Sequence, residues 1–130
     1  MSKRFSIRPV NIRDVPPFVT RDTSIIRELL AHRNSPIKNQ SLAEARIKPG
    51  ASTIRHYHKK AEEIYFITRG KGRIRLGKKQ FNVGPGDAIP ILPGTPHRIT
   101  NTGKVDLVIL CCCAPAYENK DTVLLEKSGS

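Results

Sequence analysis

The chain predicts an all-β fold, a sandwich or barrel, on three observations. Short runs rich in Ile, Val, Leu, Phe and Tyr recur at short, regular spacing. Gly and Pro stand at most of the bends between them. At 130 residues and 38% hydrophobic content the chain suits one domain with its own core, without disulfide or zinc staples.

Taken in order, residues 1–22 hold Pro9, Pro16 and Pro17 and little buried pattern, and are expected as an extended N-terminal arm. Residues 23–130 are expected as the barrel domain. Ser24 to His32, "SIIRELLAH", is compatible with helix periodicity, but no capping box precedes it, so a strand is favoured. Asn34 to Asn39 reads as a loop. Ser41–Ile47 is strand-like and ends at the turn "KPGAS"; Ile54–His58 and Glu63–Thr68 follow. "RIRLG" and "KKQFNV" read as a hairpin entered through the turn "RGKG". "GPGD" bends into "AIPIL", "PGTPH" into "RIT", and "NTGK" into "VDLVILCCC".

The formal charge is +12 and the sequence pI about 10.1, a balance that suits anionic partners. The basic residues are scattered, however; the densest stretch, Arg55 to Lys79, holds nine of them beside Glu62 and Glu63. A solvated basic surface is favoured over a nucleic-acid site, which would want exposed aromatics, and the chain has seven Phe and Tyr in all. The three cysteines are adjacent, Cys111 to Cys113, a poor disulfide framework that fits a reducing interior. "MSKRFSIRPV" lacks a signal-peptide core, and the longest apolar run, Leu107 to Ala116, is ten residues, too short to span a bilayer. A soluble, cytoplasmic protein is expected, with no membrane or nucleic-acid partner.

Chemistry concentrates in "GASTIRHYHKKAEEIYFITRG", Gly50 to Gly70. On a strand His56 and His58 point to one face. Glu63 opens the next strand, where a hairpin partner would return beside them. Imidazole and carboxylate suit first-row transition metals. A second cluster runs from Gly84 to Gly103, where two prolines and a glycine constrain the backbone just before His97, the candidate fourth ligand. The competing possibility is that these are satisfied core histidines without a metal.

These residues resemble the two motifs of the cupins, in particular the small single-domain bacterial and archaeal type (mannose-6-phosphate isomerase-like). Gly50, His56, His58, Glu63 and Gly70 fill the first motif, G-x5-H-x-H-x3,4-E-x6-G. Gly86, Gly94, His97 and Asn101 fill the second, G-x5-P-x-G-x2-H-x3-N, with Leu92 at the proline position and Pro93 one place later. The resemblance implies a double-stranded β-helix, a jelly-roll barrel. It also implies a divalent transition metal (Fe, Mn, Ni, Cu, Co or Zn) held by His56, His58, Glu63 and His97. Glu62 competes for the acidic position; the interval to Gly70 favours Glu63.

Strand alternation from Glu63 carries Tyr65 and Ile67 to the same face. Tyr65 is thus a candidate ligand contact and the candidate catalytic group, or else an ordinary core tyrosine. Arg73 and Arg75 share a face, by default outward; pointing inward they would select an anion. Cys111 and Cys113 share another, as buried apolar residues or lining the cavity floor. Glu28 and Glu44 become candidates if their strands face inward. His32 is expected at the surface without partners. The function expected is binding or transformation of a small chelating or anionic molecule, by dioxygenase- or isomerase-type chemistry, with a non-catalytic binding or sensing module as the alternative. A homodimer is expected, paired through sheet edges or the N-terminal arm.

Overall fold

The computed structural model describes residues 5–126. Among them no α-helix occurs, and eleven strands form two antiparallel sheets. In chain order these are β1 (Phe18–Val19), β2 (Ile25–Leu30), β3 (Ser41–Ile47), β4 (His56–His58), β5 (Glu62–Arg69) and β6 (Gly72–Leu76). Then come β7 (Lys79–Val83), β8 (Ala88–Ile91), β9 (His97–Asn101), β10 (Leu107–Ala114) and β11 (Thr122–Leu124). One sheet has the order β1-β2-β3-β10-β5-β8, the other β11-β4-β9-β6-β7. The two face each other as a jelly roll.

The core fills the space between the sheets. Ile67, Leu107 and Ile109 come from the first sheet, Ile74 and Ile99 from the second, and all five are essentially inaccessible. β5 shows why: its residues alternate strictly, with Glu63, Tyr65 and Ile67 buried and Glu62, Ile64 and Phe66 exposed. The extended stretch at Ser24 to His32 is a strand, as its β-branched residues favour. The N-terminal stretch contributes β1, which pairs with the start of β2.

Two motif residues hold the loops at the strand ends away from His97 and Glu63. Asn101 is buried, and its Nδ2 donates to the carbonyls of Ile47 and Val105, both at 2.8 Å, while its Oδ1 accepts from Gly103 N at 2.9 Å. One side chain thus ties the end of β3 to the β9–β10 turn. Gly70 has φ +85°, and a Cβ there would lie 2.6 Å from the carbonyl oxygen of Asp106. Only glycine permits that crossing.

Candidate metal centre

β4 and β9 lie side by side, with His56 directly opposite His97. His58 follows on the same face of β4, so three imidazoles converge: their ligand atoms lie within 4.8 Å of one another, and all three residues are buried. Glu63 reaches in from the opposite sheet, its Oε1 3.3 Å from His58 Nε2 and 3.8 Å from His97 Nε2. Glu62 is exposed on the other side of the strand.

Hydrogen bonds at Nδ1 set the tautomers. His56 Nδ1–H donates to the carbonyl of Ile54 at 2.6 Å and His97 Nδ1–H to that of Thr95 at 2.9 Å. Thr122 Oγ1 donates to the carbonyl of Glu118, so it accepts from His58 Nδ1–H, at 3.1 Å. Each ring then presents an Nε2 lone pair to the centre. Burial, reinforced by the neighbouring His56, pushes the His97 imidazole down to about 4, so it stays neutral.

The lone pairs meet acceptors. Cys113 Sγ donates to Glu63 Oε2 at 3.2 Å, leaving Oε1 toward the imidazoles. Among the described residues, Glu63 Oε1 and His97 Nε2 are the two buried side-chain polar atoms without a hydrogen-bond partner. Buried polar atoms left unpaired cost about 1–3 kcal/mol each. A carboxylate oxygen facing an imidazole lone pair is satisfied by a cation shared between them, and nitrogen and carboxylate donors fit a divalent transition ion.

Asp22 was not anticipated. It sits in the β1–β2 turn, where its Oδ1 accepts from Thr20 Oγ1 (2.6 Å), Ser24 Oγ (2.6 Å) and Ser24 N (3.0 Å). Its Oδ2 lies 3.6 Å from His56 Nε2. Burial pushes this carboxyl up, but positive charge at the His56 position and the hydrogen bonds from Ser24 and Thr20 outweigh it and hold the carboxyl below its ordinary value. Thr122, which steadies His58, was likewise missed; it lies on β11, which pairs with β4.

A narrow cavity of about 50 Å³ adjoins His56, His58 and Glu63 and reaches Tyr65, Tyr117 and Glu28. Tyr65 is buried, and burial together with Glu63 raises its phenol well above the ordinary value, so it remains a proton donor. Cys111 and Cys113 line the cavity; the thiol of Cys111 is raised in the same way, and all three cysteines are free thiols. Glu28 faces inward, held by a paired contact to Arg33 at 2.9 and 3.0 Å, whereas Glu44 pairs with Arg46 away from the cavity. Arg73 and Arg75 point to solvent. His32 is exposed as expected but not partnerless: its Nε2 contacts Glu118 Oε1 at 2.7 Å, because the loop after β2 folds against the segment before β11. The displaced proline is also accommodated. Leu92 to Thr95 form a turn with Thr95 N bonded to the Leu92 carbonyl and Gly94 at φ +77°, which places Pro93 where a type II turn favours proline.

No helix among the described residues is long and apolar enough to cross a membrane.

Comparison with known proteins gives the same architecture. A predicted oxalate decarboxylase of Thermotoga maritima superposes with TM-score 0.74 at 25% identity, over 83% of this chain and 99% of that one. The polyketide cyclase RemF of Streptomyces resistomycificus superposes with TM-score 0.80 at 22% identity, over 95% and 89%. In sequence, the uncharacterized protein MJ1618 of Methanocaldococcus jannaschii is 47% identical over 86% of this chain and 90% of its own length. The family model described as "Cupin domain" matches residues 43–113, from the inward face of β3 to the cysteine that holds Glu63, and the chain belongs to the cupin family.

Proposed function

We propose that this cupin is a metal-dependent enzyme acting on a small, uncharged, oxygen-bearing molecule. His56, His58, His97 and Glu63 hold a divalent transition ion, which when bound supplies Lewis-acid polarisation and, if redox-active, electron transfer for dioxygenase-type chemistry. One observation carries this: two orphaned acceptors, Glu63 Oε1 and His97 Nε2, face one another's neighbourhood beside an open cavity.

The cavity wall supports the substrate class. It presents Asp22, Glu28 and Glu63 and, among the described residues, neither lysine nor arginine. Arg33 offsets Glu28 and the bound ion would offset Glu63 and Asp22, so the wall holds no spare cation to bind an anion despite the net charge of +12; Arg73 and Arg75, among the residues that give that charge, face solvent. The apolar walls, Ala45, Ile47 and Ile109 included, suit a compact, weakly polar ligand. Tyr65, kept protonated, is the group proposed to orient or protonate it.

The test is metal content after purification, followed by turnover of a panel of neutral diketones, enols and catechols, with oxygen uptake recorded. Loss of both metal and turnover in His58→Ala and Glu63→Gln, with circular dichroism unchanged, supports the enzyme. Metal and ligand binding without turnover indicates a sensing or storage module instead. A homodimer is part of the same reading, supported by exposed Ile64 and Phe66 on the outer face of β5; light scattering checks it.

A further inference from the structure

We propose that Asp22 is a fifth protein ligand to the ion, binding through Oδ2. The proposal rests on the metal site just described and adds a donor from outside both cupin motifs.

The turn that carries Asp22 is built to aim one oxygen. Three donors from Thr20 and Ser24 saturate Oδ1 and fix the plane of the carboxylate. The other oxygen is thereby turned toward His56. The backbone links the same two residues: Asp22 O accepts from Ile54 N at 2.9 Å, and Ile54 O accepts from His56 Nδ1. Carboxylate and imidazole are thus positioned off one residue, Ile54, and their relative placement is set before any ion arrives.

The spacing between Asp22 and His56 matches that of two donors on one ion. Donors bound at about 2.0–2.2 Å to one centre stand roughly 3–3.6 Å apart at right-angled to tetrahedral angles. Asp22 Oδ2 is 3.6 Å from His56 Nε2, inside the 3.3–3.8 Å range at which Glu63 Oε1 addresses His58 and His97. Each imidazole therefore has a carboxylate oxygen as neighbour. With His56 Nδ1 carrying the proton, Nε2 and Oδ2 are both acceptors, and a cation is what satisfies both.

The turn also carries strain. Thr23, next to Asp22, has φ +78°, a conformation that glycine or asparagine usually supplies and that a β-branched residue adopts at a cost. The three-residue hairpin with a left-handed last position ordinarily carries glycine there. Strain held beside a carboxylate that is fixed at one oxygen and aimed at a histidine is the signature of a positioned functional group.

Two carboxylates match the charge of a divalent ion in a buried site, and imidazole and carboxylate donors together suit a first-row transition ion.

The experiment compares wild type with Asp22→Asn, which keeps shape and the Oδ1 acceptor, and with Asp22→Ala, using Mn(II) affinity by competition titration and the visible spectrum of the Co(II)-loaded protein. Circular dichroism of the metal-free proteins checks folding, and the isosteric variant serves if the alanine variant fails to fold. The expected result is one ion per chain in wild type, at least tenfold weaker Mn(II) binding in the variants, and a Co(II) spectrum altered in position and intensity. Unchanged affinity and spectrum overturn the proposal, as does weakened affinity with an unaltered spectrum, which would make Asp22 a positioning residue for His56. If wild type itself binds no ion, the metal-site reading fails and this inference with it; if wild type binds and Asp22→Asn matches it, only the inference fails.

Discussion

The thiol of Cys113 donates to Oε2 of Glu63 across 3.2 Å, and this contact decides which carboxylate oxygen faces the imidazoles. The thiol keeps its proton: burial, then the charge of Glu63, raise it far above its ordinary range. The last cysteine of the adjacent trio thus acts as a hydrogen-bond donor, in a place where an apolar residue would fill the space equally well.

Cys113→Val is expected to release Glu63 Oε2 and lower metal affinity about tenfold, whereas Cys113→Ser keeps a donor and stays within a few-fold of wild type. Competition titration against a chelating dye measures both. Equal affinity in the valine variant would show that the thiol does not position the carboxylate.

Metal removal should loosen the join between the sheets. His56, His58 and His97 stand on one sheet and Glu63 on the other, so a shared ion links them. At a hundredfold excess over Kd the ion adds about 2.7 kcal/mol, on the order of 10 °C in Tm for a chain of this size. Calorimetry with and without EDTA checks this, and coincident melting curves would exclude ion binding to the folded state.

Acid should destabilise the metal-free protein. His97 falls from its ordinary 6.5 to about 4 on folding, so between those values the unfolded chain binds more protons than the folded one. Stability is full above about pH 6.5 and is lost as pH falls toward 4, by about 3 kcal/mol. Urea melts from pH 8 to pH 4 on wild type and His97→Gln test it; an equal decline in both would remove His97 as the cause.

Gly70→Ala is expected to cost about 2–4 kcal/mol, since the residue sits at φ +85° and the new methyl would meet backbone at Asp106. Chemical denaturation gives the value. A loss below about 0.5 kcal/mol would show that the β9–β10 turn yields freely.

The sequence made the β5 alternation legible because one face is buried and the period is two, so Glu63, Tyr65 and Ile67 could be placed together. The pairing of His56 and His58 followed from the same period. Boundaries were less legible. Ile54 was expected in a strand with His56, yet its amide bonds to the carbonyl of Asp22 and β4 begins at His56. That partner is 32 positions away in the chain, and nothing local in "TIRHYH" signals it. Asp22 and Thr122 stayed hidden for the same reason: each reaches the centre through a contact distant in sequence, Asp22 through the Ile54 amide and Thr122 through the pairing of β11 with β4. For Asp22 there was a faint cue in "TRDTS", an acid flanked two residues either way by hydroxyls, a pattern suited to side-chain-to-backbone turn bonds.

The anchoring of all three rings at Nδ1, two to backbone carbonyls and one to a threonine hydroxyl, bears on how the protein would come by the proposed ion. A cage held in shape by its own main chain does not remodel itself to sort one element from another. With nitrogen and oxygen donors it ranks divalent ions by the general order of complex stability, copper and nickel ahead of iron and manganese. Loading in the cell then follows supply, and the element recovered from a heterologous host reflects the growth medium as much as the protein.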